Sequence, residues 1–234
     1  MTDVAVRAHR VGKRYHVHAV RHDTLRASLS AGRFARTRRP LWAVRAVTFT
    51  VHRGQSVALV GANGSGKSTL LRLIAGIERP TTGVVEAVGG VASILGLGVG
   101  FSNHLSGAEN LEVASGLLGQ SSRDSRMLYD GIVEFAGLGE FIDQPVREYS
   151  SGMLARLGFA LAVHTPADVF LVDEVLSVGD SEFQERCIAR LEQMRSAGAT
   201  LLFASHDTAL VERLADYRIR LRNGLLVSDT SRSR

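Results

Sequence analysis

A nine-residue run rich in glycine has the residue types and the spacing that suit phosphate binding. It fits the pattern G-x-x-x-x-G-K-[ST] and reads Gly61-Ala62-Asn63-Gly64-Ser65-Gly66-Lys67-Ser68-Thr69. In such a loop the backbone N–H groups face the phosphates, the lysine reaches the β and γ oxygens, and the following hydroxyl contacts Mg²⁺. We therefore predict that Lys67 binds phosphate oxygens and that Ser68 is a magnesium ligand.

Two acidic residues and a histidine follow apolar runs that are typical of buried strands. Asp173 and Glu174 come directly after Val169–Val172. We predict that Asp173 holds Mg²⁺ and that Glu174 polarises the water that attacks the γ-phosphate. His206 follows Thr200–Ala204, at a strand end where open α/β sheets bind ligands. Without the glycine-rich loop, solvated strand ends would explain these residues equally well.

Ser150, Ser151 and Gly152 precede a run of leucines with helical spacing. Either serine can cap the helix by accepting hydrogen bonds from its free N–H groups. Such a helix start also attracts anions, because its N–H groups and dipole favour negative charge. Capping alone explains the residues, but together with the glycine-rich loop they predict a second phosphate contact.

The elements that must position these residues follow an alternating strand and helix pattern. This pattern is typical of a layered α/β domain with a mostly parallel sheet. The phosphate loop lies between the predicted strand Val57–Val60 and a helix that ends near Gly76. Asn223-Gly224 predicts a two-residue hairpin. The other predicted strands are Val44–Val51, Val169–Val172, Thr200–Ala204 and Arg218–Leu221.

We expect a single domain over residues 1–234, with a helical lobe at approximately 102–165. From Ser106 to His164 the strand patterns disappear and helical periodicity replaces them. The polar residues 228–234 predict a frayed tail. Cys187 falls in a helical pattern and is interpreted as a small buried side chain rather than a nucleophile.

Charge and hydropathy restrict the class of protein. The net charge of +5 favours anionic surfaces, either nucleic acid or phospholipid. No apolar run is long enough to span a membrane, and the first residues lack the apolar segment of a signal peptide. We therefore expect a soluble, cytosolic chain.

The order of the motifs resembles the ATP-binding subunit of an ABC transporter. The phosphate loop comes first, then Ser150-Ser151-Gly152, then Asp173-Glu174, and finally His206. The resemblance implies that the ligands are ATP and Mg²⁺, and that the protein is an ATPase with a mostly parallel core sheet, an antiparallel β part and a helical lobe. It further assigns adenine stacking to Tyr15, the signature motif to Ser150 and Gly152, the D-loop aspartate to Asp180 and the switch histidine to His206.

At two places the chain departs from the common ABC pattern, and there it resembles the subgroup that exports polysaccharides and lipid-linked glycans, such as O-antigen, teichoic acid and galactan exporters. Tyr149-Ser150-Ser151-Gly152-Met153 stands where Leu-Ser-Gly-Gly-Gln is usual, and residues 173–180 lack the usual Asp-Glu-Pro-Thr run. Residues 107–110 and 141–146 match the same subgroup. The resemblance implies a subunit that powers glycan export. Since the chain stops soon after the hairpin, we expect no C-terminal carbohydrate-binding domain.

One residue typical of ABC subunits is missing from the loop after Ile94. A glutamine usually contacts the metal and the attacking water there, and the glycan exporters usually carry an acid, where this chain has Gly96. We expect γ-phosphate sensing to depend more on Glu174 and His206. A dinucleotide interpretation of Gly96-x-Gly98 is disfavoured, because the third glycine and the later acid are not in place.

The resemblance also implies partners. Two copies would sandwich two ATP molecules head to tail, with each phosphate loop facing the other copy's Ser150–Gly152. A polytopic transmembrane permease and the membrane surface would be the other partners, placing the chain in the cytoplasm, peripheral on the inner face of the cell membrane. Nucleic acid is not expected as a partner. Two alternatives stay open: a soluble ABC-type ATPase that acts on nucleic acid or ribosomes, and a nucleotide-gated regulatory subunit with little turnover.

Residues 24–40 contain five arginines and no acid. A solvated loop is the favoured interpretation of this segment. The alternative is that the arginines contact the membrane partner, anionic headgroups or the pyrophosphate of a lipid-linked glycan.

Overall fold

A computed structural model describes residues 3–18, 38–95, 100–117, 122–173 and 180–231. The first sheet is antiparallel, with strand order β2-β1-β4. Its strands are β1 Val4–His18, β2 Arg38–His52 and β4 Thr82–Ala87. Along β2, buried Val47, Phe49 and Val51 alternate with exposed polar residues, so one face of the sheet packs on the core.

The second sheet has the order β5-β6-β7-β3-β8-β9. All of its strands are parallel except β9, which pairs antiparallel with β8. The central strands are apolar at nearly every position because both faces of the sheet are covered. The bounds are β3 Ser56–Val60, β5 Val91–Ile94, β6 Val169–Val172, β7 Thr200–Ala204, β8 Tyr217–Arg222 and β9 Leu225–Ser231.

Six α-helices complete the described part of the chain. Helix α1, Lys67–Ile74, packs its buried leucines into the core that joins the two sheets. Helices α5, Ser181–Ser196, and α6, Thr208–Leu214, contribute to the core on the other face of the large sheet. Burial there raises the pKa of the Cys187 thiol to about 12, which fits an inert side chain.

The segment between β5 and β6 contains only helical elements among its described residues. They are α2 Gly107–Leu117, α3 Ser122–Ala136 and α4 Ser151–His164, with short 3₁₀ turns at Gly139–Asp143 and Val146–Glu148. Leu111, Ile132 and Leu157 are fully buried in a separate core that these helices share. Helix α4 also buries Phe159 and Val163 in the core beside the large sheet, which joins the lobe to that sheet.

The predicted fold class is confirmed, and several boundaries are corrected. Residues 56–60, 169–172 and 200–204 form strands as predicted, and the hairpin turn at Asn223-Gly224 has φ values of 50° and 76°. The strands β1 and β4 were not among the predicted ones, whereas a strand was expected near Ile94, where β5 lies. The expectation of a frayed tail from Ser228 is wrong for residues 228–231, because pairing with β8 extends β9 to Ser231. Arg38 and Arg39 belong to β2, whereas residues 24–37 lie outside the described residues.

Candidate nucleotide-binding site

The phosphate loop connects β3 to α1, and its glycines are required by close backbone contacts. Gly66 has a φ of 109°, and a Cβ there would overlap the carbonyl oxygen of Ala43. Gly61 has a φ of 152°, and a Cβ there would overlap the carbonyl oxygen of Leu221. The N–H of Gly224 donates to the carbonyl of Ser65 at 3.0 Å, which ties the loop to the C-terminal hairpin. The loop is thus held in shape by distant parts of the chain.

Lys67 is buried at the first position of α1, with 5% of its surface exposed. Its ammonium donates to the carbonyl oxygens of Gly61 at 2.9 Å and Ala62 at 3.3 Å. These contacts hold the ammonium against the first two residues of the loop. A point charge in this position suits phosphate oxygens.

Two buried polar atoms at this end of the sheet have no hydrogen-bond partner among the described residues. They are Ser65 Oγ, in the loop, and Asp173 Oδ1, at the end of β6. A buried carboxylate oxygen without a partner is costly unless a ligand or metal satisfies it. Oxygen ligands suit Mg²⁺, which is typically held by one or two protein oxygens together with substrate phosphates. Asp173 and the partly exposed Ser68 therefore fit a magnesium site.

Glu174, the predicted general base, lies outside the described residues, as does Gly96 in the loop that lacks the usual glutamine. The predictions for both residues therefore stay predictions. Asp173 ends a strand that is two positions from β3 in the large sheet.

His206 follows β7 and lies at the same edge of the sheet. It is exposed and borders a groove that also contacts Gly61 and Ala62, so the structure brings it to the phosphate loop. The neighbours of His206 hold its backbone in place. The N–H of Asp207 donates to Ser205 Oγ at 3.0 Å, and the Asp207 carboxylate caps α6 by accepting from Ala209 N–H at 2.8 Å.

Tyr15 lies on β1 and contacts the segment that follows the C-terminal end of α1. Its hydroxyl donates to Glu78 Oε2 at 2.6 Å, and the ammonium of Lys13 is 5.3 Å from its ring centroid. Burial and the hydrogen bond to Glu78 raise the pKa of Tyr15, while the nearby Thr69 hydroxyl opposes this shift. The contact with Thr69 places Tyr15 beside the phosphate loop. Sequence reasoning missed Glu78, since no local pattern marks it.

The predicted signature residues lie at the start of α4. Ser150 caps α4 by accepting from Met153 N–H at 3.2 Å, and Ser150 and Ser151 are exposed while Gly152 is partly exposed. Asp180 caps α5, and its carboxylate pairs with the guanidinium of Arg156. The hydrogen bond from Phe183 N–H lowers the pKa of Asp180. Neither the signature residues nor Asp180 line the groove beside the phosphate loop.

The profile of a family described as ABC transporter matches residues 44–177. The chain belongs to the ABC transporter family. It is therefore an ABC-type ATPase, as the motif order predicts. Among the described residues, no helix is both long and apolar enough to cross a bilayer.

Relatives of this ABC chain confirm its resemblance to the glycan-exporter subgroup. The O-antigen export system ATP-binding protein RfbB of Klebsiella pneumoniae is 46% identical over 181 residues, covering 77% of this chain and 74% of the relative. The teichoic acids export ATP-binding protein TagH of Listeria innocua is 42% identical over 183 residues, covering 78% of this chain and 54% of the relative. The chain thus spans about half the length of that second relative.

Solved structures with the same fold are more distant in sequence from this ABC chain. One is a dimeric ATP-binding cassette in a post-hydrolysis state bound to ADP and Pi, with a TM-score of 0.77 and 20% identity. The alignment covers 97% of this chain and 98% of that structure. An ATP-binding subunit of an ABC transporter has a TM-score of 0.78 and 22% identity, covering 97% and 90%. These likenesses confirm the ABC ATPase fold.

Proposed function

We propose that this chain binds and hydrolyses ATP to power the export of a polysaccharide or lipid-linked glycan across the cytoplasmic membrane, with a separate transmembrane permease. The observation that carries the ATPase part is the meeting of the phosphate loop, Asp173 and His206 at one edge of the large sheet. The export part is supported by the relatives, which are O-antigen and teichoic acid exporters.

In this proposal the loop from Gly61 to Thr69 binds the nucleotide phosphates through its N–H groups. Lys67 exchanges its contacts with loop carbonyls for contacts with the β and γ oxygens. Ser68 and Asp173 hold Mg²⁺, which would neutralise charge on those oxygens when bound. The buried Asp173 Oδ1, which has no partner among the described residues, supports this assignment.

Glu174 then accepts a proton from the attacking water, and His206 contacts the γ-phosphate. Tyr15 stacks on adenine with the ring face opposite Lys13, since the Lys13 ammonium lies over one face. Its bond to Glu78 fixes the ring beside Thr69. These roles require a ligand that extends from Tyr15, across the phosphate loop, to His206.

The remaining predicted residues act on the nucleotide of a second copy of the chain. Ser150, Ser151 and Asp180 are exposed and lie away from the groove beside the phosphate loop. A head-to-tail dimer would bring the helix start at Ser150–Gly152 to the partner's γ-phosphate, where N–H groups stabilise an anion. The dimer would sit on the inner face of the membrane against a polytopic permease.

Co-purification and glycan export test this proposal together. The tagged chain is purified from detergent-solubilised membranes, and we expect a polytopic membrane protein to copurify with it. Deleting the gene should abolish the surface glycan, and the wild-type chain but not Lys67→Ala should restore it. A chain that leaves the membrane fraction, binds nucleic acid in a salt-sensitive way and has no effect on the glycan would contradict the proposal.

A further inference from the structure

A groove with a volume of about 790 Å³ opens beside the phosphate loop. One end is lined by Gly61, Ala62 and His206, and strand β8 and helix α6 form its sides. This volume is within the range of small-molecule binding sites. The groove extends beyond the residues assigned to the nucleotide, so it can hold a second ligand.

Three arginines on β8 line this groove. Arg218, Arg220 and Arg222 alternate along the strand, whereas Ile219 and Leu221 between them are buried in the core. Because side chains two apart point to the same face, all three guanidinium groups project from one side of the sheet. Successive members of this set, the arginine face, are about 7 Å apart along the strand.

Within the described ranges, no acidic side chain forms an ion pair with the arginine face. On β9, Thr230 lies opposite Arg218, Ser228 opposite Arg220 and Leu225 opposite Arg222. No guanidinium of the three arginines forms a hydrogen bond or an ion pair with another described residue. By contrast, Arg195 pairs with Asp216 at 2.5 Å and Arg213 with Glu192 at 2.6 Å.

The like charges of the partly exposed Arg218 and the exposed Arg220 and Arg222 repel one another along one wall of the groove. An anion would remove this repulsion. The planar guanidinium fork matches the oxygens of a phosphate, and the groove reaches the phosphate loop at its other end. We propose that the arginine face is a second binding site for a phosphate anion, separate from the phosphate loop.

The phosphate has two chemically equivalent sources. One is the inorganic phosphate that leaves ATP in the neighbouring loop, and this source rests on the proposed function. The other is a phosphate group that enters from solution. Both would bind through the same arginine nitrogens, so the binding test applies to either source.

Inorganic phosphate is titrated by calorimetry into the full chain saturated with ADP, so that the α and β phosphate positions of the phosphate loop are occupied. We expect the wild-type chain to bind phosphate with a Kd of about 1 mM or below. Replacing Arg218, Arg220 and Arg222 by Gln should weaken this binding at least about tenfold, a difference of one decade in Kd. A control with equal charge loss replaces the exposed Arg7, Arg10 and Arg79 by Gln and should bind phosphate like the wild type.

Equal phosphate binding by the wild type and the β8 variant, or none by the wild type, would overturn the proposed site. ADP affinity is measured in parallel on all three proteins. A wild-type chain that fails to bind ADP contradicts the proposed function, whereas intact ADP binding with no arginine-dependent phosphate binding contradicts only the second site.

A single-turnover experiment with a fluorescent phosphate sensor identifies the source. If the arginine face receives the product, phosphate release should lag behind hydrolysis in the wild type, and the lag should shorten in the β8 variant. If release is unchanged while binding from solution is lost, the ligand is a phosphate that enters from outside.

Discussion

The ammonium of Lys67 lies 2.9 Å from the carbonyl oxygen of Gly61, the residue that opens the same loop. In the proposed function, ATP binding brings this ammonium to phosphate oxygens instead. We predict that Lys67→Ala lowers steady-state ATP hydrolysis at least about 100-fold. This is the usual cost of removing one preorganised donor that stabilises a developing charge. Lys67→Arg should not restore activity, because the buried position suits a compact ammonium. Near-normal hydrolysis by either variant would exclude the predicted role.

The close contacts of Gly66 predict a large loss of stability on substitution. Gly66→Ala introduces a Cβ at positive φ against the carbonyl of Ala43, and should lower the free energy of unfolding by about 2–5 kcal/mol. Gly64→Ala is the matched control, since its Cβ has no neighbour within 4 Å. It should cost about 1–2 kcal/mol from backbone strain alone. Urea unfolding measures both, and equal losses would show that the contact with Ala43 is unimportant.

Glu174 and Asp173 are adjacent in sequence but have different predicted roles. Glu174→Gln should bind MgATP and dimerise, while hydrolysis falls by about 100- to 10,000-fold through loss of a general base. Asp173→Asn should instead raise the Mg²⁺ concentration needed for half-maximal activity. Titrating Mg²⁺ against the activity of each variant separates the two. Wild-type hydrolysis in Glu174→Gln would remove Glu174 from the role of base.

A mixture of two inactive variants tests the head-to-tail dimer. Lys67→Ala damages one phosphate loop, and Ser150→Arg blocks the helix start that would contact the partner's nucleotide. In a mixed dimer one composite site has both defects and the other has neither. We therefore expect mixing to restore partial ATPase activity that neither variant has alone. Activity that stays at the level of the single variants would argue against composite sites.

His164 predicts a pH dependence of stability. Burial lowers its pKa from the ordinary value of 6.5, and Arg190 nearby lowers it further. The unfolded chain therefore gains a proton at His164 before the folded chain does as the pH falls below 6.5, so stability is present above this pH and decreases below it. The difference in unfolding free energy between pH 7.5 and pH 5.5 should shrink in His164→Gln. The control His9→Gln, at an exposed site on β1, should keep the wild-type difference.

Local patterns predicted most of the candidate site. The phosphate loop could be predicted because its glycines and lysine act within nine consecutive residues. Asp173 and His206 could be predicted because each follows an apolar strand. Ser150 and Asp180 both cap helices, as residues of their types often do. These patterns depend on neighbours in the chain, so they need no knowledge of the tertiary contacts.

The strands of the first sheet were harder to predict. The long antiparallel pair β1 and β2 is interrupted by register shifts, as between Ala8 and Val11. Such irregularities break the alternation of apolar and polar residues on which strand prediction depends. Strand β4 exposes Val84 at 55%, so its pattern does not resemble a buried strand either.

The sequence alone was sufficient for the family, the phosphate loop and the central strands, because each is encoded by residues close together in the chain. Only the tertiary structure decided which distant residues support them. Glu78 reaches Tyr15 across 63 positions, Gly224 ties the hairpin to Ser65, and three arginines on β8 share a groove with the phosphate loop. These contacts depend on strand order and register, which arise when the two sheets and the lobe pack together.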